Sequence, residues 1–137
     1  MSLSAVSSIA VSGMQAGVSR LTASASNTVN IDSTGSLDPT AANQPYTPVT
    51  VQQSAVVGSN GTGQGTTTVY RPSSAPVIAT YDPSDSNANS SGLVGSPNVD
   101  LASERVNQIT ANNTYQTNLK VFKAQDQMMQ TLLNTTA

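Results

Sequence analysis

Residues 2–30 read SLSAVSSIAVSGMQAGVSRLTASASNTVN, a stretch without proline in which apolar or small residues fall at Leu3, Val6, Ala10, Met14, Val18, Leu21, Ala25 and Val29. Steps of three and four return to one side of a helix, because about 3.6 residues close a turn. The spacing predicts a helix from Ser2 to about Asn30, roughly 40 Å long at about 1.5 Å per residue. Gly13 and Gly17 lie on one face of it. Each costs about 1 kcal/mol against Ala in a helix interior, and together they let another backbone come close. The opposite face carries Ser, Thr and Gln with a single charge, Arg20. A freely solvated helix face usually carries more charge, so this helix is expected to be packed on more than one side.

Outward from that stretch, the far end of the chain shows a second long period. After Ser96-Pro97-Asn98-Val99-Asp100 the pattern predicts a helix to about Asn134, with Asp100 or Asn98 as its cap and Glu104 near the first turn, where negative charge suits the helix dipole. Tyr115, Phe122 and Met129 recur every seven residues, Leu119 and Leu133 follow the first and last of them by four, and Val106 and Ile109 supply earlier turns. That is a heptad-like seam. Asp126 interrupts it, and Val121, Met128 and Leu132 broaden it.

Between the two helices, residues 33–96 hold six of the seven prolines and most of the glycines. PVTVQQSAVV (48–57), TTTVY (66–70) and PVIATY (76–81) are β-branched runs bounded by turn residues. The Gly58–Gly65 stretch GSNGTGQG reads as a long turn joining the first two. A small antiparallel hairpin or three short strands is expected, with DPSDSNANSSG (82–92) as a loop.

Composition narrows the function. Charged residues are 9% of the chain and aromatic residues 4%, so few large anchors exist for a core. A chain of 137 residues with so few anchors is expected to gain stability from partners. Five Lys and Arg residues, spread along a chain of net charge −2, make no footprint for nucleic acid. Without His or Cys there is no imidazole base, thiol nucleophile or Cys-based metal site. The carboxylates form no pair on one predicted face, and Asp82 and Asp85 in a loop are a poor calcium site. GSNGTGQG lacks the Lys and following helix of a phosphate-binding loop. No enzyme activity, cofactor, metal or small-molecule substrate is expected. The N-terminus has no basic n-region and its apolar residues are broken by Ser and Gly, so a cleaved signal peptide is not expected. No run is long enough to insert in a membrane.

The expected fold is mainly α with a small β insertion. The N- and C-terminal long helices pair as an antiparallel coiled coil, and a short β hairpin or strands occupies the Pro/Gly-rich middle. Three segments follow: 1–35, the N-terminal helix and its following loop; 36–96, the Pro/Gly/Ser-rich insertion; and 97–137, the C-terminal helix. The first and third form one discontinuous helical domain. The apolar stripes could equally be the core of a monomeric helical hairpin or surfaces for further copies; periodicity alone does not separate the two.

Certain residues at both ends match a known pattern. Ala25-Ser26-Asn27-Thr28-Val29-Asn30-Ile31-Asp32-Ser33-Thr34-Gly35 resembles the signature closing the first helix of flagellar axial proteins, the rod, hook and hook-associated family. Gly13-Met14-Gln15-Ala16 with Arg20-Leu21 is similar to a second stretch of that family. Pro97-Asn98-Val99-Asp100-Leu101, Glu104, Val106-Asn107, Ile109, Ala111, Tyr115-Gln116-Thr117-Asn118, Val121, Asp126, Met128 and Leu132-Leu133 follow its C-terminal pattern, with Thr117 where Ala is usual. Tyr70-Arg71-Pro72, Tyr81-Asp82-Pro83 and Gly92-Leu93-Val94 resemble the approach to the last helix in the short, proximal rod members.

The resemblance implies a structural subunit of the bacterial flagellar basal-body rod. Such a drive shaft would assemble helically through its terminal helices and transmit torque across the periplasm. Its partners would be copies of itself, other rod subunits and the flagellar type III export apparatus. The expected assembly interface is Leu3, Val6, Met14, Val18 and Leu21 on the first helix, with Val106, Ile109, Tyr115, Leu119, Phe122, Met129 and Leu133 on the second. A different class of function, a secreted adhesin-like or binding module with a helical stalk, would keep the β insertion as the working end.

Overall fold

A computed structural model describes residues 2–136 of the chain. The element order is α1 (Leu3–Val29), β1 (Val49–Val57), β2 (Gly63–Pro72), β3 (Val77–Tyr81), β4 (Leu93–Pro97) and α2 (Leu101–Thr136). The protein is therefore mainly helical, with two small strand pairs, β1–β2 and β3–β4. α1 begins where Ser2 offers its carbonyl and hydroxyl to the Ala5 N–H. α2 begins after Asp100, whose carboxylate accepts the Ala102 N–H at 3.0 Å and the Ser103 hydroxyl at 2.7 Å. Asn98 does not cap the helix; its amide donates to the Ala75 carbonyl at 3.0 Å.

Two compact units divide the chain, and each long helix contributes to both. In the first (1–21, 51–69 and 107–137), α1 has two partners. One is the outer part of the hairpin: the Thr66 N–H donates to Ser12 Oγ at 3.1 Å, Thr68 and Ser19 share a hydroxyl bond at 3.1 Å, and Arg20 donates to Gln53 at 2.9 Å. The other is α2. Ser7 bonds Gln125, Gly13 lies against Asn118, and Gly17 lies against Ala111 and Tyr115. Numbers rise on α1 as they fall on α2, so the helices run antiparallel. The Ser/Thr/Gln face of α1 thus has a hairpin on it, which is why that face carries so little charge. The turn between β1 and β2 is tighter than the glycine run suggests: the Gly58 N–H reaches the Thr62 carbonyl at 2.8 Å, and Gly61 supplies the positive φ of 77°.

The second unit (22–50 and 70–106) holds the ends of the helices that meet the strands. β3 and β4 pair antiparallel with Val77 opposite Pro97 and Tyr81 opposite Leu93. Val94 in β4 is fully buried. Gly35 bridges Gly95 through two backbone bonds of 2.9 and 2.8 Å. A Cβ on Gly35 would strike the backbone nitrogen of Pro45, so the crossing requires a glycine there. Residues 82–92 are an ordered run of side-chain-closed turns, in which Asp82, Asp85 and Asn89 each accept the N–H two residues on. The fourth strand, absent from the pattern reading, lies in LVGSP, where Gly and Ser hide the β signal.

Candidate assembly surface

In a helix pair the residues on the shared seam come at alternating steps of three and four. On α2 those positions are Glu104, Gln108, Ala111, Tyr115, Asn118, Phe122 and Gln125, and all but Tyr115 are buried or half-buried. On α1 the inward positions are Ser7, Ala10, Gly13 and Gly17 in one unit and Ser24 and Asn27 in the other. The seam is thus built largely of small and amide side chains, with Tyr115 and Phe122 its large members. A Cβ on Gly17 would come to 3.0 Å from the Ala111 carbonyl oxygen and 3.2 Å from the Tyr115 nitrogen, so the two backbones nearly touch there. Close approach of this kind gains dispersion contacts at that crossing without a large side chain on α1.

Most of the other large apolar residues face elsewhere. Of the expected interface on α1, Leu3, Val6 and Met14 are half-buried, while Val18 and Leu21 are exposed. The spacing of that stripe averages more than the helical repeat, so it winds round α1: Ala10 is buried, Val18 and Val29 are exposed. On α2, Leu119 and Phe122 are half-buried, and Tyr115 is 39% exposed. Val106 is 61%, Ile109 56% and Leu133 62% exposed, with Met129 also in the open. Val18, Leu21, Ala111 and Tyr115 line a groove of about 250 Å³ with Gly17 and Asn112. Past Gln125, α2 runs on to Thr136, whereas α1 has only the turn from Leu3 to Val6 left opposite it. Met128 and Leu132 in that overhang are exposed as well.

Asp126, which broke the expected heptad, lies beside the seam and accepts a bond from Gln130 at 3.0 Å. Its position is the one after Gln125, so the interruption is one of register: the seam takes Asn118 and Gln125 where the apolar pattern takes Leu119 and Asp126. Among the described residues no group of three or more His, Cys, Asp or Glu could hold a metal, and no helix is long and apolar enough to cross a membrane.

A heavily connected residue of the second unit is Asn27, which the resemblance marked only as part of a signature. It is 3% exposed. Its Oδ1 accepts the Val49 N–H at 2.9 Å and the Tyr46 hydroxyl at 3.0 Å; its Nδ2 donates to the Val49 carbonyl at 2.9 Å and Glu104 at 2.8 Å. Ser24 adds a bond to the Glu104 carbonyl at 2.9 Å. No periodicity rule finds such a residue, since a buried Asn interrupts any apolar pattern.

Known proteins share this arrangement of sequence. Residues 90–135 match the family described as flagellar basal body rod FlgEFG protein C-terminal. Over 131 residues the chain is 35% identical to the flagellar basal-body rod protein FlgC of Salmonella typhimurium, covering 94% of each chain. The FlgC of Yersinia enterocolitica is 35% identical over 130 residues, again 94% of each. That of Buchnera aphidicola from Acyrthosiphon pisum is 34% identical over 137 residues, 96% of this chain and 97% of the relative.

Proposed function

The chain belongs to the flagellar basal-body rod proteins, and from that membership we propose that it is a structural subunit of the rod which assembles helically with its own copies and transmits torque. The observation that carries the mechanism is the division of labour on the two helices. Mostly small and amide residues fill their mutual seam, and most of the large apolar residues are left on the outside. Exposed apolar area is what association removes from water, at about 25 cal/mol per Å². A subunit that presents the same surfaces to the next copy forms a heterologous contact, which propagates as a ring or a helix.

In this reading α1 and α2 pair as an antiparallel coiled coil. Residues 1–35 and 97–137 act as one discontinuous helical domain, and 36–96 is an insertion carried by it. The assembly interface is the set Leu3, Val6, Met14, Val18, Leu21, Val106, Ile109, Tyr115, Leu119, Phe122, Met129 and Leu133. Partners are further copies, other rod subunits and the flagellar type III export apparatus, by which the chain reaches the basal body. Catalysis, nucleic acid, small-molecule substrates and membrane insertion have no part in it.

The test separates fold from surface. Ile109→Asp changes a residue already in water, so the isolated chain should keep the wild-type circular dichroism while polymerisation and motility are lost. Phe122→Asp should lose assembly too, but with a damaged helix pair because Phe122 is half-buried. Wild-type motility in both variants would remove the assembly reading of these helices.

A further inference from the structure

A primary amide can donate two hydrogen bonds and accept two. Asn27 makes all four, and it makes them with three different parts of the chain: Tyr46, both sides of the Val49 backbone, and the Glu104 carboxylate. The paired bonds to Val49 are those one strand residue makes with its antiparallel neighbour. The Asn27 side chain therefore stands in for a missing strand at the first residue of β1. Its second N–H, directed at Glu104, ties the same point to the first turn of α2.

We infer that Asn27 is a positioning residue: its saturated amide fixes where the hairpin root and the start of α2 sit on the end of α1, and this junction folds in the isolated chain before any copy is met. The burial pattern supports early folding of the junction. The largest fully buried side chains, Val94 and Ser24, belong to this unit, as does the Gly35–Gly95 bridge. The other unit buries Ala10, Ala16, Ala111 and Gln125, which supply little apolar area each. Cooperative pieces of a protein open separately, and the piece with denser burial opens last. Each long helix then has an inner end that is set early and an outer end that is completed by neighbours.

The experiment is amide hydrogen exchange on the isolated full chain, each rate normalised to its unstructured value at the same pH. In the wild type, protection at 22–29 and 101–106 should exceed that at 3–12 and 126–135. Asn27→Asp removes both donors and sets a second carboxylate against Glu104. At neutral pH it should cost the junction roughly tenfold to a hundredfold in protection, the usual effect of leaving buried groups unmatched. Two carboxylates within bonding distance hold a shared proton to higher pH than either alone. Part of the protection should therefore return at about pH 5, and part should return at neutral pH in Asn27→Asp/Glu104→Gln. Uniform exchange along both helices, unchanged protection in Asn27→Asp, or a loss that neither acid nor Glu104→Gln relieves would overturn the inference. Polymerisation of the same samples reports on the rod reading separately, because the exchange measurement involves no second subunit.

Discussion

At the scale of single residues, the signature that closes α1 works through side chains too small to figure in a hydrophobic pattern. Asn30 donates to the Ser26 carbonyl at 2.8 Å and Ser33 to the Asn30 carbonyl at 2.8 Å, which ends the helix and turns the chain. Thr34 then donates to the Asp85 carboxylate, holding the turns of residues 82–92 to the signature. That hydrogen bond, followed by the Asn87 N–H at 2.8 Å, lowers the Asp85 pKa below the ordinary 3.8. A carboxylate whose folded-state pKa is depressed stabilises the fold while both states are ionised, and the contribution fades as pH falls from the unfolded value through the folded one. The attachment of 82–92 should therefore hold at neutral pH and loosen from about pH 4 downward. Thr34→Val removes the larger cause, so an NMR titration should find the Asp85 pKa closer to 3.8 and faster exchange in 82–92 at neutral pH. An unchanged titration in Thr34→Val would mean that the Thr34 bond does not form in solution.

Whole elements were legible to different degrees, for reasons that lie in their chemistry. Both long helices are readable because their apolar residues keep a helical period over many turns, and the strands of the hairpin because β-branched residues crowd between glycines. β4 is hidden since Gly95 must be small to meet Gly35, and Ser96 and Pro97 carry no strand signal. The register of the helix pair is hidden for a related reason. Apolar periodicity points to Leu119 and Leu133, whereas the seam takes Ala111, Asn118 and Gln125, which lie against Gly17, Gly13 and Ser7. This makes Ala111 a sharper test than any of the large residues. It is 1% exposed and lies against the Gly17 backbone, so Ala111→Leu must drive the helices apart. Overpacking of that sort costs about 1–3 kcal/mol, and should appear as a lower melting temperature and weaker helical circular dichroism. Val106→Leu, which adds the same kind of group to an exposed site, should melt like the wild type. Equal melting of the two variants would mean that the close seam is not kept in solution.

Across the whole molecule, the scarcity of charge becomes an assembly property. With 9% charged residues and a net charge of −2, copies of the chain neither repel strongly nor attract by opposite patches. The exposed large apolar residues on the helices are Val, Leu, Ile, Met and Tyr, whose association is driven by removal of apolar surface from water. Exposed ion pairs weaken once salt shortens the screening length to a few ångströms, but apolar burial does not, and strongly excluded salts such as sulfate reinforce it. Polymerisation of the purified chain, followed by light scattering, should therefore persist at about 1 M sodium chloride and strengthen in sulfate. Helical circular dichroism should rise with it, because the outer ends of α1 and α2 gain the apolar contacts they lack alone. Polymers that dissolve on addition of sodium chloride would instead assign the contact to Arg20, Arg105, Lys120, Lys123 and their acidic counterparts. A shaft built on many small apolar contacts has a mechanical consequence as well. Each contact is weak and undirected, so load spreads over the whole helical interface, and no single side chain has to bear it.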